Sequence, residues 1–173
     1  MNIILKEDDI TDIDKLDNYN NDYLKIYPDF KPFVTPINYQ EVLKSNELKK
    51  QGINNNGIKE IYYWVILDNK IIGHASIRLN PEVDKNILKY AGHIMYGVIP
   101  SKRGLGYGKE ICRLLIEKMK DLGYSEIIIT CSKHNSASIK VIEANNGLFL
   151  ETVKPDMINT TFDTNRYKVI IEK

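Results

Sequence analysis

Val98-Ile99-Pro100-Ser101-Lys102-Arg103-Gly104-Leu105-Gly106-Tyr107-Gly108-Lys109-Glu110 is the stretch on which the reading of this chain turns. The residues before it, Leu88 to Ile99, read as a strand that stops at Pro100. The residues after it, 106 to 122, carry Ile111, Leu114, Leu115, Met119 and Leu122 at helical spacing, with Gly123 as a stop. Three glycines therefore sit where a strand hands over to a helix. Without Cβ atoms their amides can face outward, and a helix start adds about 0.3 to 2 kcal/mol of attraction for an anion. A pyrophosphate is the anion such a loop suits, although a tight turn with no ligand would have the same glycine content.

Two common phosphate loops fail on spacing. A P-loop needs a glycine five residues before Gly108, where Arg103 stands, and Glu110 occupies the place of the metal-binding hydroxyl. Nucleotide hydrolysis is disfavoured. Gly104, Gly106 and Gly108 are spaced by twos, unlike Gly-x-Gly-x-x-Gly, and several strands precede them, so a hydride-transfer fold is disfavoured too.

Outward from the loop, Glu126 to Cys131 reads as a buried strand, and Asn135 opens a further helix that ends near Asn145-Asn146-Gly147. Phe149 to Val153 and Arg166 to Ile171 read as two late strands. Upstream, Ile61 to Leu67 and Ile71 to Leu79 form a hairpin joined through Asp68-Asn69-Lys70. Residues 10 to 27 have an amphipathic helix pattern ended by Pro28. Asn38-Tyr39-Gln40-Glu41 has the form of a capping box before a second helix that runs to about Gln51. With an opening strand, the order is β-α-α-β-β-β-α-β-α-β-β. That is a mixed α/β fold in one domain over residues 1–173, with a central mixed sheet of about six to seven strands and about four helices.

Composition narrows the partners. The chain has 173 residues, 24 Lys and Arg against 23 Asp and Glu, and a hydrophobic fraction of 43%. A net charge of +1 gives no support to nucleic-acid binding or a polybasic membrane contact, and no apolar run is long enough to span a bilayer. The N-terminus lacks a secretory pattern, which points to the cytoplasm. Cys112 and Cys131 lack metal or redox spacing and read as buried reduced thiols; no metal is expected. Only 4 of the 24 basic residues are Arg, so Arg103 at the head of the loop is informative.

The loop resembles the acyl-CoA site of the GNAT superfamily of N-acetyltransferases, in which Gln or Arg is followed by x-x-Gly-x-Gly or Ala at a strand-to-helix junction. Asn135-Ser136-Ala137-Ser138-Ile139-Lys140-Val141-Ile142-Glu143 is similar to that family's second signature. The match is specific over about residues 90 to 150 and looks closest to the RimJ/RimL-like branch. The resemblance implies direct transfer of acetyl from acetyl-CoA to a primary amine, either a small molecule or a peptide N-terminus. A homodimer is one assembly compatible with it. It implies that Val98 offers its amide to the thioester carbonyl, and that Arg103, Gly104, Leu105, Gly106, Tyr107, Gly108 and Lys109 surround the pyrophosphate. Asn135 and Ser138 would line the pantetheine arm, and Asn135 reads equally as a plain helix cap.

An amine with a pKa of about 10.4 is neutral in only about one molecule per thousand near pH 7.5, so a base is needed. His93 stands near the position where many relatives carry Glu, and is read either as that base or as a structural histidine. Tyr96 is the second catalytic candidate, but strand alternation puts it opposite His93 unless a bulge intervenes. The family's late tyrosine has no counterpart, because Ile142 occupies its place. His74 and His134 have weaker claims. Tyr62, Tyr63, Trp64 and Arg78, with the first two helices, are candidates for the acceptor pocket, although aromatic strand residues are more often core packing. The alternative from another class is a non-catalytic acyl-CoA-binding domain.

Overall fold

The computed structural model describes residues 2–53, 55–155 and 161–172. Seven strands are present among them: β1 (Ile3–Glu7), β2 (Glu60–Leu67), β3 (Lys70–Arg78), β4 (Ile94–Val98), β5 (Glu126–Ser132), β6 (Leu148–Val153) and β7 (Thr164–Ile170). The five α-helices are α1 (Leu16–Ile26), α2 (Tyr39–Lys50), α3 (Lys85–Tyr90), α4 (Tyr107–Asp121) and α5 (Ser136–Glu143). The fold is α/β with the expected element order, plus one helix more than expected. The strands divide differently from a single mixed sheet. One sheet runs β1-β2-β3-β4 and the other β5-β7-β6, and every pair in both is antiparallel.

The hairpin is as read: Asp68 and Asn69 both take positive φ, which matches the twist of the strands they join. Alternation then sorts the sheet. Tyr62 and Trp64 of β2 lie opposite Ser76 and His74 of β3, which lie opposite Met95 and Gly97 of β4. This face is covered by α1 and α2, with the Trp64 indole donating to Tyr39 Oη at 2.8 Å. The other face holds Tyr63, Val65, Ala75, Ile77, Ile94 and Tyr96, against the fully buried Ile111, Cys112, Leu115 and Met119 of α4. Leu122, expected on that stripe, is half exposed beyond the last helical residue.

Two local expectations are corrected. The strand begins at Ile94, not Leu88, because Asp84 accepts from the Asn86 amide at 2.9 Å and starts the short helix α3. Asn38 does not cap α2: its side chain turns back to accept from the Thr35 amide at 2.7 Å. A capping box forms instead at Asp9 and Asp12, before the 3-10 turn Ile10–Lys15.

Candidate active site

The two sheets meet at one point and then part. The His93 amide donates to Ile128 O at 2.8 Å, and the Ile128 amide donates to His93 Nδ1 at 3.0 Å. The ladder of β4 with β3 has no bulge, and the Ile99 amide bonds to Ile72 O, which fixes the phase of the strand. The amides of Tyr96 and Val98 therefore point away from β3, and the same counting on β5 and β7 turns the backbone of Thr130 and Ser132 towards them. Two strand edges thus face each other without bonding. Between them lies a cavity of about 240 Å³ whose lining includes Tyr96, Thr130, Cys131, Ser132 and Ser138.

At the top of this cleft the chain passes through the glycine loop. Gly104 and Gly106 have φ of 74° and 85°, values that other residues adopt at a cost of about 1 to 2 kcal/mol. Gly106 is the residue before α4, and the amides from Gly104 to Lys109 donate to no other described group. Leu105 and the Lys109 side chain are exposed, and Tyr107 packs partly on the core. Gly108 lies against α5, where an added Cβ would meet Val141 at 3.4 Å. Arg103 turns elsewhere than expected. Its Nε donates to Val98 O at 3.1 Å, one Nη donates to Tyr27 Oη at 3.0 Å, and the guanidinium lies over the Tyr23 and Tyr27 rings. It braces the loop against α1 rather than presenting its charge beside the free amides. Ser101 adds a second brace, with its amide donating to Asp22 at 3.0 Å.

The Tyr96 hydroxyl is sealed in the cleft wall and makes no hydrogen bond among the described residues. Burial raises its pKa, and Cys112 and Cys131 add to the rise. An orphaned buried hydroxyl costs roughly 1 to 3 kcal/mol. Asn135 caps α5, with Oδ1 accepting from the Ser138 amide at 3.0 Å, and Ser138 itself lines the cleft. Cys131 is half-buried at the same wall, a correction to full burial. Its thiol is pushed up to about 11 by burial and Glu143, and Cys112 up to about 12 by burial, so neither is a ready nucleophile.

On the other side of β4 lies a larger cavity of about 500 Å³, walled by Tyr19, Tyr23, Phe30, Tyr62 and Trp64, with His74 and Met95 from the sheet. Asp8 reaches it with a carboxylate that accepts from Asn46 at 2.6 Å and is held above its ordinary pKa by burial. Tyr62, Tyr63 and Trp64 of β2 all contribute to its lining, and the Tyr63 ring lies under Lys118 of α4 on the other face of the strand. Arg78 borders the cleft instead, paired with the buried Glu60 at 3.0 Å. Met95 lines both cavities, which makes β4 the partition between them.

Of the two readings of His93, base or structural histidine, its surroundings fit the structural one. It is 8% exposed, its Nδ1 is taken by Ile128, its ring meets Tyr124 edge-on, and it lines neither cavity. With no bulge in β4, His93 and Tyr96 stay on opposite faces. His134 is exposed in the loop before α5. The histidine that the fold brings to a cavity is His74: a register shift between Val65 and Ile66 sets it opposite Trp64, where the tight turn alone would have paired it with Tyr63, so the sequence carried no signal for it. Among the described residues no cluster of three metal-ligating side chains exists, and no helix is long and apolar enough to cross a membrane.

A strand edge opened beside a glycine-rich helix start, with a second cavity behind the strand, defines an acyltransferase architecture. The family model described as Acetyltransferase (GNAT) family matches residues 20–148, and the chain belongs to that family. Among solved structures, it is similar over 98% of its length to the ribosomal L7/L12 alpha-N-protein acetyltransferase RimL in complex with coenzyme A (94% of that chain, 20% identity, TM-score 0.71). The ribosomal-protein-S5-alanine acetyltransferase from Vibrio fischeri aligns over 98% of this chain and 93% of its own (21% identity, TM-score 0.71). So does the microcin C7 self-immunity acetyltransferase MccE, solved with acetyl-CoA and AMP, over 98% and 92% (16% identity, TM-score 0.70). No curated protein matches the sequence.

Proposed function

We propose that the chain is an acetyl-CoA-dependent N-acetyltransferase that moves the acetyl group directly to a primary amine, with acetyl-CoA in the β4/β5 cleft and the amine in the aromatic cavity behind β4. The observation that carries this reading is Met95, whose place in both linings puts donor and acceptor on either side of one strand. The residues suit the cosubstrate. Free amides from Gly104 to Lys109 at the head of α4 hold the pyrophosphate, with the exposed Lys109 side chain adding positive charge nearby. The Val98 amide, turned into the cleft, takes the thioester carbonyl, a contact that strengthens as charge develops on that oxygen. Ser138 meets the pantetheine arm, and Asn135, whose Oδ1 is spent on its cap, keeps only its amide NH₂ for it. The Tyr96 hydroxyl, protonated at any working pH, is the donor to the departing sulfur.

The cavity wall favours an amine attached to an apolar or aromatic group, on a small molecule or at a peptide N-terminus. Similar enzymes named for ribosomal proteins support the peptide N-terminus as one kind of acceptor. The whole chain acts as one domain, in the cytoplasm where acyl-CoA is at hand. Calorimetric titration with coenzyme A tests the donor site: wild type binds, and Gly106→Trp, which fills the loop and abolishes its φ of 85°, does not. Equal binding by both proteins would remove the cleft as the site.

A further inference from the structure

Two groups with the chemistry of a base line the aromatic cavity among the described residues: Asp8, whose carboxylate accepts from Asn46 at 2.6 Å, and His74, which alone of the two lies against the partition strand β4. His74 stands on β3 with Tyr19 of α1 at one end of its ring, Nδ1 to Oη being 2.7 Å. The Tyr19 ring meets the imidazole edge-on at 6.2 Å and Trp64 at 5.4 Å, so the hydroxyl is fixed by packing. The far edge of the imidazole lies on β4 at Gly97. A Cβ there would sit 2.5 Å from Cε1 and 2.8 Å from Nε2, so only glycine lets the ring rest on the partition. Nε2 makes no hydrogen bond among the described residues and is not among the sealed polar atoms. Its neighbours across the ladder are Gly97 and, one step on, Val98, the residue whose amide turns into the cleft.

We propose that His74 Nε2 takes the proton from the acceptor nitrogen, with Tyr19 as the positioning residue that accepts from Nδ1–H and so leaves the lone pair on Nε2. The inference rests on the acetyltransfer reading above. The acceptor reacts as the neutral amine, its ammonium proton having gone to solvent. As its nitrogen bonds to the carbonyl carbon, a remaining proton becomes acidic and passes to Nε2. The carbon–sulfur bond breaks, and the thiolate departs with a hydrogen bond from the Tyr96 hydroxyl and takes a proton from solvent. His74 then returns its proton to solvent through the cavity, which closes the balance.

Burial alone lowers the His74 pKa below its ordinary 6.5, so the imidazole is neutral at physiological pH. The titratable and charged groups around it are Tyr19 and Tyr23 of α1, Lys31 after α1, Lys49 of α2, Asp8 after β1 and Tyr62 and Tyr63 of β2; β4 contributes none among the described residues. A base this weak cannot strip a resting ammonium efficiently, but it suits a nitrogen already bonding to carbon.

The test first finds an amine that wild type acetylates; if none is acetylated, the underlying reading fails, not this assignment alone. With such an amine, His74→Gln should lower kcat by about a hundredfold to ten-thousandfold while coenzyme A affinity and melting temperature hold. The wild-type acid limb of kcat/KM should fall below pH 6.5 and coincide with the His74 imidazole titration seen by NMR. Tyr19→Phe should move that limb and the NMR midpoint together. Full activity in His74→Gln, or an imidazole midpoint that differs from the acid limb, overturns the proposal; the NMR comparison stands even if the variant does not fold.

Discussion

Gly104 and Gly123 offer a matched pair for testing whether the loop geometry exists to hold an anion. Both have positive φ, 74° and 88°, and at both an added Cβ would meet nothing within 4 Å. Alanine at either site therefore introduces only left-handed backbone strain, about 1 to 2 kcal/mol, without steric repacking. Where that strain is felt should differ. Gly123 ends α4, with its amide bonded to Lys120 O at 2.8 Å, so it cannot relax without unwinding the helix end. Gly123→Ala should lose the full amount as stability, a fall in melting temperature of about 2 to 8 °C, with coenzyme A affinity unchanged. Gly104 is exposed and its amide donates to no described group, so Gly104→Ala can relax in the free protein and must be forced back on binding. It should melt close to wild type and bind coenzyme A about 5 to 30 times more weakly. Differential scanning calorimetry and isothermal titration on the two variants decide the matter. Equal coenzyme A affinity in both, or the loss falling on Gly123→Ala, would refute the assignment of the loop.

Two further outcomes follow from buried groups. Tyr96→Phe removes an unpartnered hydroxyl, so the protein should be as stable as wild type or up to about 3 kcal/mol more stable to urea, while kcat falls about a hundredfold; destabilisation with an unchanged rate would contradict its role. His74 and His93 both have pKa values held below 6.5 by burial, so the unfolded chain binds protons that the folded one refuses. Their stabilisation is complete above pH 6.5 and is lost as pH falls through 6.5 towards the folded values, at up to about 1.4 kcal/mol per pH unit for each histidine. Urea titrations between about pH 7 and pH 5.5 should show that slope, shallower in His93→Gln; a flat wild-type profile would contradict it.

What the sequence made legible depended on how local the cause was. The glycine loop, α4 and the β2–β3 hairpin follow from spacing within a dozen residues, and each stands where it was expected. The division of Tyr62 and Trp64 from Tyr63 is also local once the strand is known, because period two needs no partner. The partners of His93 and Arg103 were not legible, which left the histidine between two readings: it is claimed by Ile128, 35 residues away, and the arginine by Tyr27, 76 residues away. His74 was undervalued for the same reason, since Tyr19 is 55 residues earlier in the chain. Helix α3 was misread because Ile87, Leu88 and Tyr90 are apolar enough for a strand, and one Asp84 cap decided otherwise. The parting of the sheets between β4 and β5 has no local signature at all, although it creates the cleft.

Acetyl transfer across β4 is most directly tested by incubating the wild-type protein with acetyl-CoA and a panel of primary amines that ranges from aliphatic and aromatic small molecules to peptide N-termini. Free thiol and acetylated product are then measured together by mass spectrometry. The account predicts equal amounts of coenzyme A and N-acetyl product, with amines on apolar or aromatic groups used best. Binding of acetyl-CoA with no thiol released for any amine would contradict it and leave a non-catalytic acyl-CoA-binding domain.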